Sequence, residues 1–146
     1  MIKRSKKSYI AIILSAPFIY ALILPLSMLD LFLFFYQLVC FPIYGLPKVR
    51  RTDHISIDRG ALGYLNIIEK INCLYCGYAI GLLALSREIG SMTEQYWCPI
   101  KHARDIKDPH EIYLDFAEFG DSEGYLKRVQ VSRGRVAKKA TEGDPR

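Results

Sequence analysis

The sequence predicts a mainly α-helical protein: an N-terminal membrane segment, then a small helical domain built around a Cys3His site. Three observations carry that reading. From Tyr9 to Pro47 the only formally charged residue is Asp30. Beyond the apolar segment, Leu62, Leu65, Ile68 and Ile71 recur about three residues apart, the spacing of a helix with one buried face. Cys73, Cys76, Cys98 and His102 read C-x2-C-x21-C-x3-H, two close pairs of soft donors separated by about one helix length.

Residues 1–8 form a basic N-terminus, with Lys3, Arg4, Lys6 and Lys7. Residues 9–47 are the membrane segment. A secretory signal would have a shorter apolar core and a small-x-small cleavage site, so the segment is expected to be retained. As one straight helix it would exceed about 50 Å, against about 30 Å of hydrocarbon. Pro25, with Ser27 and Asp30 as a capping pair, offers a break that divides it into Tyr9–Leu24 and Met28–Phe41. Lys48, Arg50 and Arg51 follow the segment, so both flanks are basic. Under the positive-inside rule this favours a helical hairpin turning near Pro25–Asp30, with both ends in the cytoplasm. The competing arrangement is a single span plus an interfacial helix. Tyr36, Phe41 and Tyr44 suit the interfacial belt. Cys40 is read as packing or as an acylation site.

Residues 48–131 are expected to form the small cytoplasmic helical domain. Lys48–Arg59 reads as a connector with some strand character. A helix is expected over Ala61–Asn72, a tight turn over Cys73–Gly77, and a second helix over Tyr78–Tyr96. Tyr113, Phe116 and Phe119 give His110–Phe119 the spacing of an amphipathic helix, and Tyr125–Val131 fits another short one. Residues 132–146 are polar and charged, and read as a disordered basic tail.

The net charge of +5 sits mostly at the two ends of the membrane segment and in Lys127, Arg128, Arg133, Arg135, Lys138 and Lys139. Positive flanks beside an apolar segment point to the bilayer as partner rather than nucleic acid, and the C-terminal cluster to anionic lipid heads or solvent.

Thiolate and imidazole are borderline-soft donors that suit zinc, and C-x2-C lets two sulfurs of a tight turn reach one ion. Cys73, Cys76, Cys98 and His102 are therefore the candidate metal ligands, with zinc the expected ion and an iron–sulfur cluster a lesser fit. Glu69 could approach from one helical turn away, and His54 or His110 could replace His102. Two other readings stand beside the metal: Cys73 and Cys76 as a membrane-tethered thiol–disulfide or quinone-linked redox pair, and three cysteines that simply pack. Haem attachment through C-x-x-C-H is excluded by Gly77 in the histidine position. No catalytic residue is assigned: the chain has no Gly-rich phosphate loop, no H-E-x-x-H and no nucleophile elbow. A four-ligand metal site is closed, and closed sites are structural.

Around these residues, Ile68 to Tyr78, Arg87-Glu88-Ile89 and Thr93 to Ala103 (with the CxYCGY-like Cys73-Leu74-Tyr75-Cys76-Gly77-Tyr78 and Tyr96-Trp97-Cys98-Pro99-Ile100-Lys101-His102-Ala103) resemble a family of small uncharacterised bacterial membrane proteins. The resemblance runs from the apolar segment to about Tyr125. In that family the position of Ile80 is usually Asn, so a polar role there is absent from this chain. The resemblance implies residence in a bacterial inner membrane and brings no activity with it. The expected function is a membrane-anchored, metal-binding helical module that binds or assembles with a protein partner or with further copies of itself.

Overall fold

A computed structural model of the chain describes residues 6–142, with side chains for residues 14–134. The protein is mainly helical, and the described residues form four α-helices: α1 (Lys6–Ala21), α2 (Ile23–Tyr44), α3 (Ile67–Trp97) and α4 (Ser122–Glu142). Short 3-10 turns lie at Arg51–Asp53, Arg59–Ala61 and Glu111–Asp115. Among the described residues there is no strand. An isolated parallel bridge joins Ile100 and Ala117.

The N-terminal segment does not fold back as a hairpin. The irregularity lies at Leu22, which keeps right-handed helical angles (φ −64°, ψ −16°), so α2 continues onward from α1. Pro25 falls in the first turn of α2, where its missing N–H costs no helical hydrogen bond. The Ser27 hydroxyl donates to the Ile23 carbonyl (2.7 Å) instead of capping a new helix. The run ends at Gly45, whose left-handed φ of 67° lets its N–H and that of Leu46 reach back to Pro42 and Phe41 carbonyls.

Where a helix, a turn and a second helix are expected, the chain forms one helix of 31 residues, α3. Its start is strongly specified. The Asn66 side chain accepts from the Glu69 N–H (2.8 Å), and the Glu69 carboxylate accepts from the Asn66 N–H (3.0 Å), a complete capping box. Its end is set by Pro99, two residues past Trp97. Gly77 does not stop the helix but lies inside it.

Ascending contacts show that α1–α2 and α3 run parallel. Tyr20 bonds Asn72, the Tyr75 hydroxyl donates to the Ile19 carbonyl (2.8 Å), Tyr36 meets Thr93 (3.0 Å), and Tyr44 stacks on Tyr96 (4.9 Å). Parallel neighbours need a crossover, and residues 45–66 supply it as an extended strap returning along the helix pair. The strap is pinned at each step. Val49 N–H donates to Gln37 Oε1 (2.8 Å), Arg51 pairs with Asp30, and His54 Nε2 meets Glu88 Oε2 (2.9 Å).

Gly77 and Gly81, one helical turn apart, give the strap its seat. A Cβ at Gly81 would lie 2.6 Å from the His54 carbonyl oxygen and 2.9 Å from Ile55 Cα, and one at Gly77 would lie 3.0 Å from the Ser56 carbonyl. The small residues let backbone touch helix. Below them Phe41, Leu46, Leu82, Leu85 and Ile89 form the core.

The C-terminal part packs on the last third of α3. His110–Phe119 forms a five-residue 3-10 turn, Glu111–Asp115, rather than an α-helix, and of the three spaced aromatics Tyr113 and Phe116 are buried while Phe119 is 68% exposed. The tail read as disordered is helical in its described part: α4 runs to Glu142, with Val129 and Ser132 buried. The expectation for residues 143–146 lies outside the described residues. Two helical runs, Leu14–Tyr44 and Ile67–Trp97, are each 31 residues long and apolar enough to cross a bilayer, which supports membrane association.

Candidate functional site

The continuity of α3 decides where the cysteines go. Cys73 and Cys76 lie within its second and third turns, three residues apart on one side of the helix. Cys98 caps the opposite end, and His102 follows in the polar loop. At about 1.5 Å per residue, Cys73 and Cys98 are separated by about 37 Å along the helix axis. Ligands of one zinc ion, each about 2.3 Å from the metal, lie within about 4 Å of each other. The expected Cys3His site is therefore not assembled within one chain. Among the described residues, no group of three or more His, Cys, Asp or Glu side chains converges on a metal-sized position. The two half-motifs occupy different ends of the protein.

All four cysteines are free thiols; Cys76 and Cys98 are exposed, and Cys73 and Cys40 half-buried. Positions three apart on a helix hold their Cβ atoms about 5–6 Å apart, against about 3.8 Å in a disulfide. Closing a Cys73–Cys76 disulfide thus requires local unwinding of α3. Glu69, the proposed supplementary ligand, is committed to the capping box.

His102 is held by its backbone, whose N–H donates to the Tyr113 hydroxyl (2.7 Å), and its ring stacks on Tyr113 at 6.0 Å. The loop is fixed further by Lys101 N–H to the Ala117 carbonyl (2.8 Å), Ala117 N–H to the Pro99 carbonyl (2.9 Å), and the Lys101–Glu118 ion pair (2.6 Å). His110 is a structural link, not a ligand. Its Nδ1 accepts from the Tyr113 N–H (3.1 Å), which leaves Nε2 to carry the proton toward Glu94 Oε2 (3.0 Å). His54 likewise serves the strap through Glu88.

Two features had no reading in the sequence. One is the Asp30–Arg51–Tyr78 cluster. Arg51 Nη2 donates to Asp30 Oδ2 (2.9 Å), Arg51 Nη1 closes a second bond to Oδ1, and the Tyr78 hydroxyl donates to Oδ2 (3.0 Å). The hydrogen-bonded Asp30 carboxylate holds the Arg51 guanidinium above its ordinary range, with partial burial opposing. The lone carboxylate of the apolar segment is thus the rivet joining α2, strap and α3. Its isolation in an otherwise uncharged run was the available signal. The other is the glycine seat, visible only as Gly77-x3-Gly81.

A cleft of about 120 Å³ between the α3 end and α4, lined by Gln95, Pro99, Phe116, Arg128, Val131 and Ser132, is smaller than the roughly 300–1,000 Å³ of small-molecule sites. The most extensive candidate surface is instead the outward side of α2. Met28, Phe32, Phe35 and Val39 stand there exposed, and the α2 surface from Leu31 to Ile43 carries no charged residue. No protein-family model matches the chain, and neither a curated protein nor a solved structure matches it.

Proposed function

We propose that this chain is a membrane-attached helical assembly module. The outward apolar side of α1–α2 holds it at the bilayer, and the strap, the ordered His102 loop and the basic α4 helix face water, where a protein partner docks. The observation that carries the reading is the long apolar helix run, exposed on one side and fixed on its other side to a well-tied polar domain. The resemblance to uncharacterised bacterial membrane proteins points to the inner membrane, with the C-terminal part in the cytoplasm. Assembly suits the surface better than catalysis because the features are docking features: an exposed Cys76 thiol beside half-buried Cys73, ordered aromatic loops and a basic helix. Expression in a bacterium with a tag after Arg146 tests this. The protein should stay in the membrane fraction through a high-salt wash, and a photo-crosslinker placed at Leu126 on α4 should give one discrete adduct. Recovery in the soluble fraction would refute the attachment, and a tag shielded from the cytoplasm would refute the orientation.

A further inference from the structure

We infer that the α1–α2/α3 pair lies in the plane of the membrane interface, submerged along one side, rather than crossing the bilayer; this rests on the membrane attachment proposed above. The helical phase of both long helices carries the inference. On α2 the strap binds Asp30 and Gln37. Met28, Phe32, Phe35 and Val39 each stand two residues from one of these, about 200° around a helix of 3.6 residues per turn, and so on the opposite side. They are 52–65% exposed. On α3 the strap sits on Gly81, and Leu83, two residues on, is 49% exposed. Along the middle of both helices the strap and an apolar stripe thus lie on opposite sides, while Phe34 on α2 (54% exposed) stands beside the strap and the exposed Glu69 and Arg87 on α3 stand about 40° from Leu83.

The strap carries Lys48, Arg50, Arg51, Asp53, Asp58 and Arg59, all exposed, along the same length of helix that bears the apolar residues. An upright placement centred on α2 would bring those charges into hydrocarbon beside it. One centred on α1 fares no better. Tyr20 bonds Asn72 and Tyr75 bonds the Ile19 carbonyl, so α3 enters at the same depth with Glu69 and Lys70, and the strap with Arg59. Laid flat, the pair keeps the strap charges at the water side, with Glu69 at the rim of the submerged side near the start of α3, while the apolar stripe enters the acyl region. This is the arrangement of an interfacial amphipathic element, built here from two helices and a strap instead of one helix. The uncharged run from Ser8 to Leu29, long enough to span on its own, is held flat by the domain riveted to it.

The test is the full chain reconstituted into bilayers of phosphatidylethanolamine and phosphatidylglycerol. Flotation with the vesicles comes first; a protein that fails to float removes the membrane attachment and this inference with it. For floated protein, polarised infrared spectroscopy of oriented bilayers reads helix tilt. Amide I dichroism with helix axes in the plane is the expected result, and axes along the membrane normal overturn the inference while leaving attachment intact. A pair of variants gives a second readout. Phe35→Glu should weaken vesicle binding about tenfold or more, the weight of one large apolar side chain. Arg50→Glu, on the strap side, should leave the vesicle affinity within about twofold in zwitterionic lipid. Equal losses in the two would overturn the sidedness.

Discussion

Replacing Gly81 with alanine sets two effects of opposite sign against each other. Alanine is favoured over glycine inside a helix by about 1 kcal/mol. At Gly81 the new Cβ would sit 2.6 Å from the His54 carbonyl oxygen and 2.9 Å from Ile55 Cα. Both are backbone atoms, so no rotamer change relieves the contact and the strap itself must lift. Overpacking of this kind costs about 1–3 kcal/mol, and with two backbone contacts under 3.0 Å the upper part of that range applies. The net change is a loss of about 1–2 kcal/mol. Gly90, in the same helix, has no atom within 4 Å of its would-be Cβ. Gly90→Ala therefore gains the propensity alone, about 1 kcal/mol. Since propensity is common to both, the gap between the two variants measures the strap contact directly, at about 2–3 kcal/mol. Melting followed by far-UV circular dichroism in detergent should show Gly90→Ala about 3 °C above the parent and Gly81→Ala about 3–6 °C below it, at about 3 °C per kcal/mol for a chain of this size. Gly77→Ala, with a single contact at 3.0 Å, should fall between them. If Gly81→Ala gains as much as Gly90→Ala, the strap does not rest on α3 and the crossover described above is wrong.

Asp30→Ala removes the carboxylate that Arg51 and Tyr78 share; with Arg51 half-exposed, the loss should be about 2 kcal/mol, and trypsin should cut at Arg50, Arg51 and Arg59 faster than in the parent. An unchanged cleavage rate would show that Asp30 does not hold the strap. Leu82→Ala, at a fully buried side chain, should cost about 2–5 kcal/mol in a denaturant titration, and a cost under 1 kcal/mol would contradict the core assignment. Glu69→Ala breaks the capping box and should cost about 1 kcal/mol, with fraying read as faster amide exchange over Ile67–Ile71 and no change near Trp97. Exhaustive chelation should leave the melting temperature where it was, because the four candidate ligands stand at two ends of a rigid helix; a drop of several degrees would mean that one ion joins them.

The helical class, the apolar segment and the aromatic core at Tyr113 and Phe116 were legible because each is a local pattern: periodicity, a charge-free run, spacing. The cysteines misled because spacing in sequence becomes proximity only if the chain turns, and the turn rested on Gly77. One glycine costs a 31-residue helix about 1 kcal/mol, which its capping box alone offsets. The strap contact then turns the residue into a packing site. The hairpin failed for a related reason. Basic flanks on both sides of an apolar run describe where the ends prefer to be, and are equally compatible with a helix that never reverses but lies flat. The Asp30–Arg51 and Asp30–Tyr78 bonds join residues 21 and 48 positions apart, beyond any local pattern.

The parallel crossover also imposes an order of events during synthesis. Asp30 leaves the ribosome 21 residues before Arg51 and 48 before Tyr78. At about 5–20 residues per second, it waits about 1–4 s for its ion-pair partner and about 2–10 s for the hydroxyl. Through that interval the apolar run carries an uncompensated carboxylate near its middle, which opposes insertion to full depth. The strap has no seat until Gly81 has emerged. The rivet closes only once three separated stretches of chain are present, so the fold that the proposed membrane attachment needs is completed late.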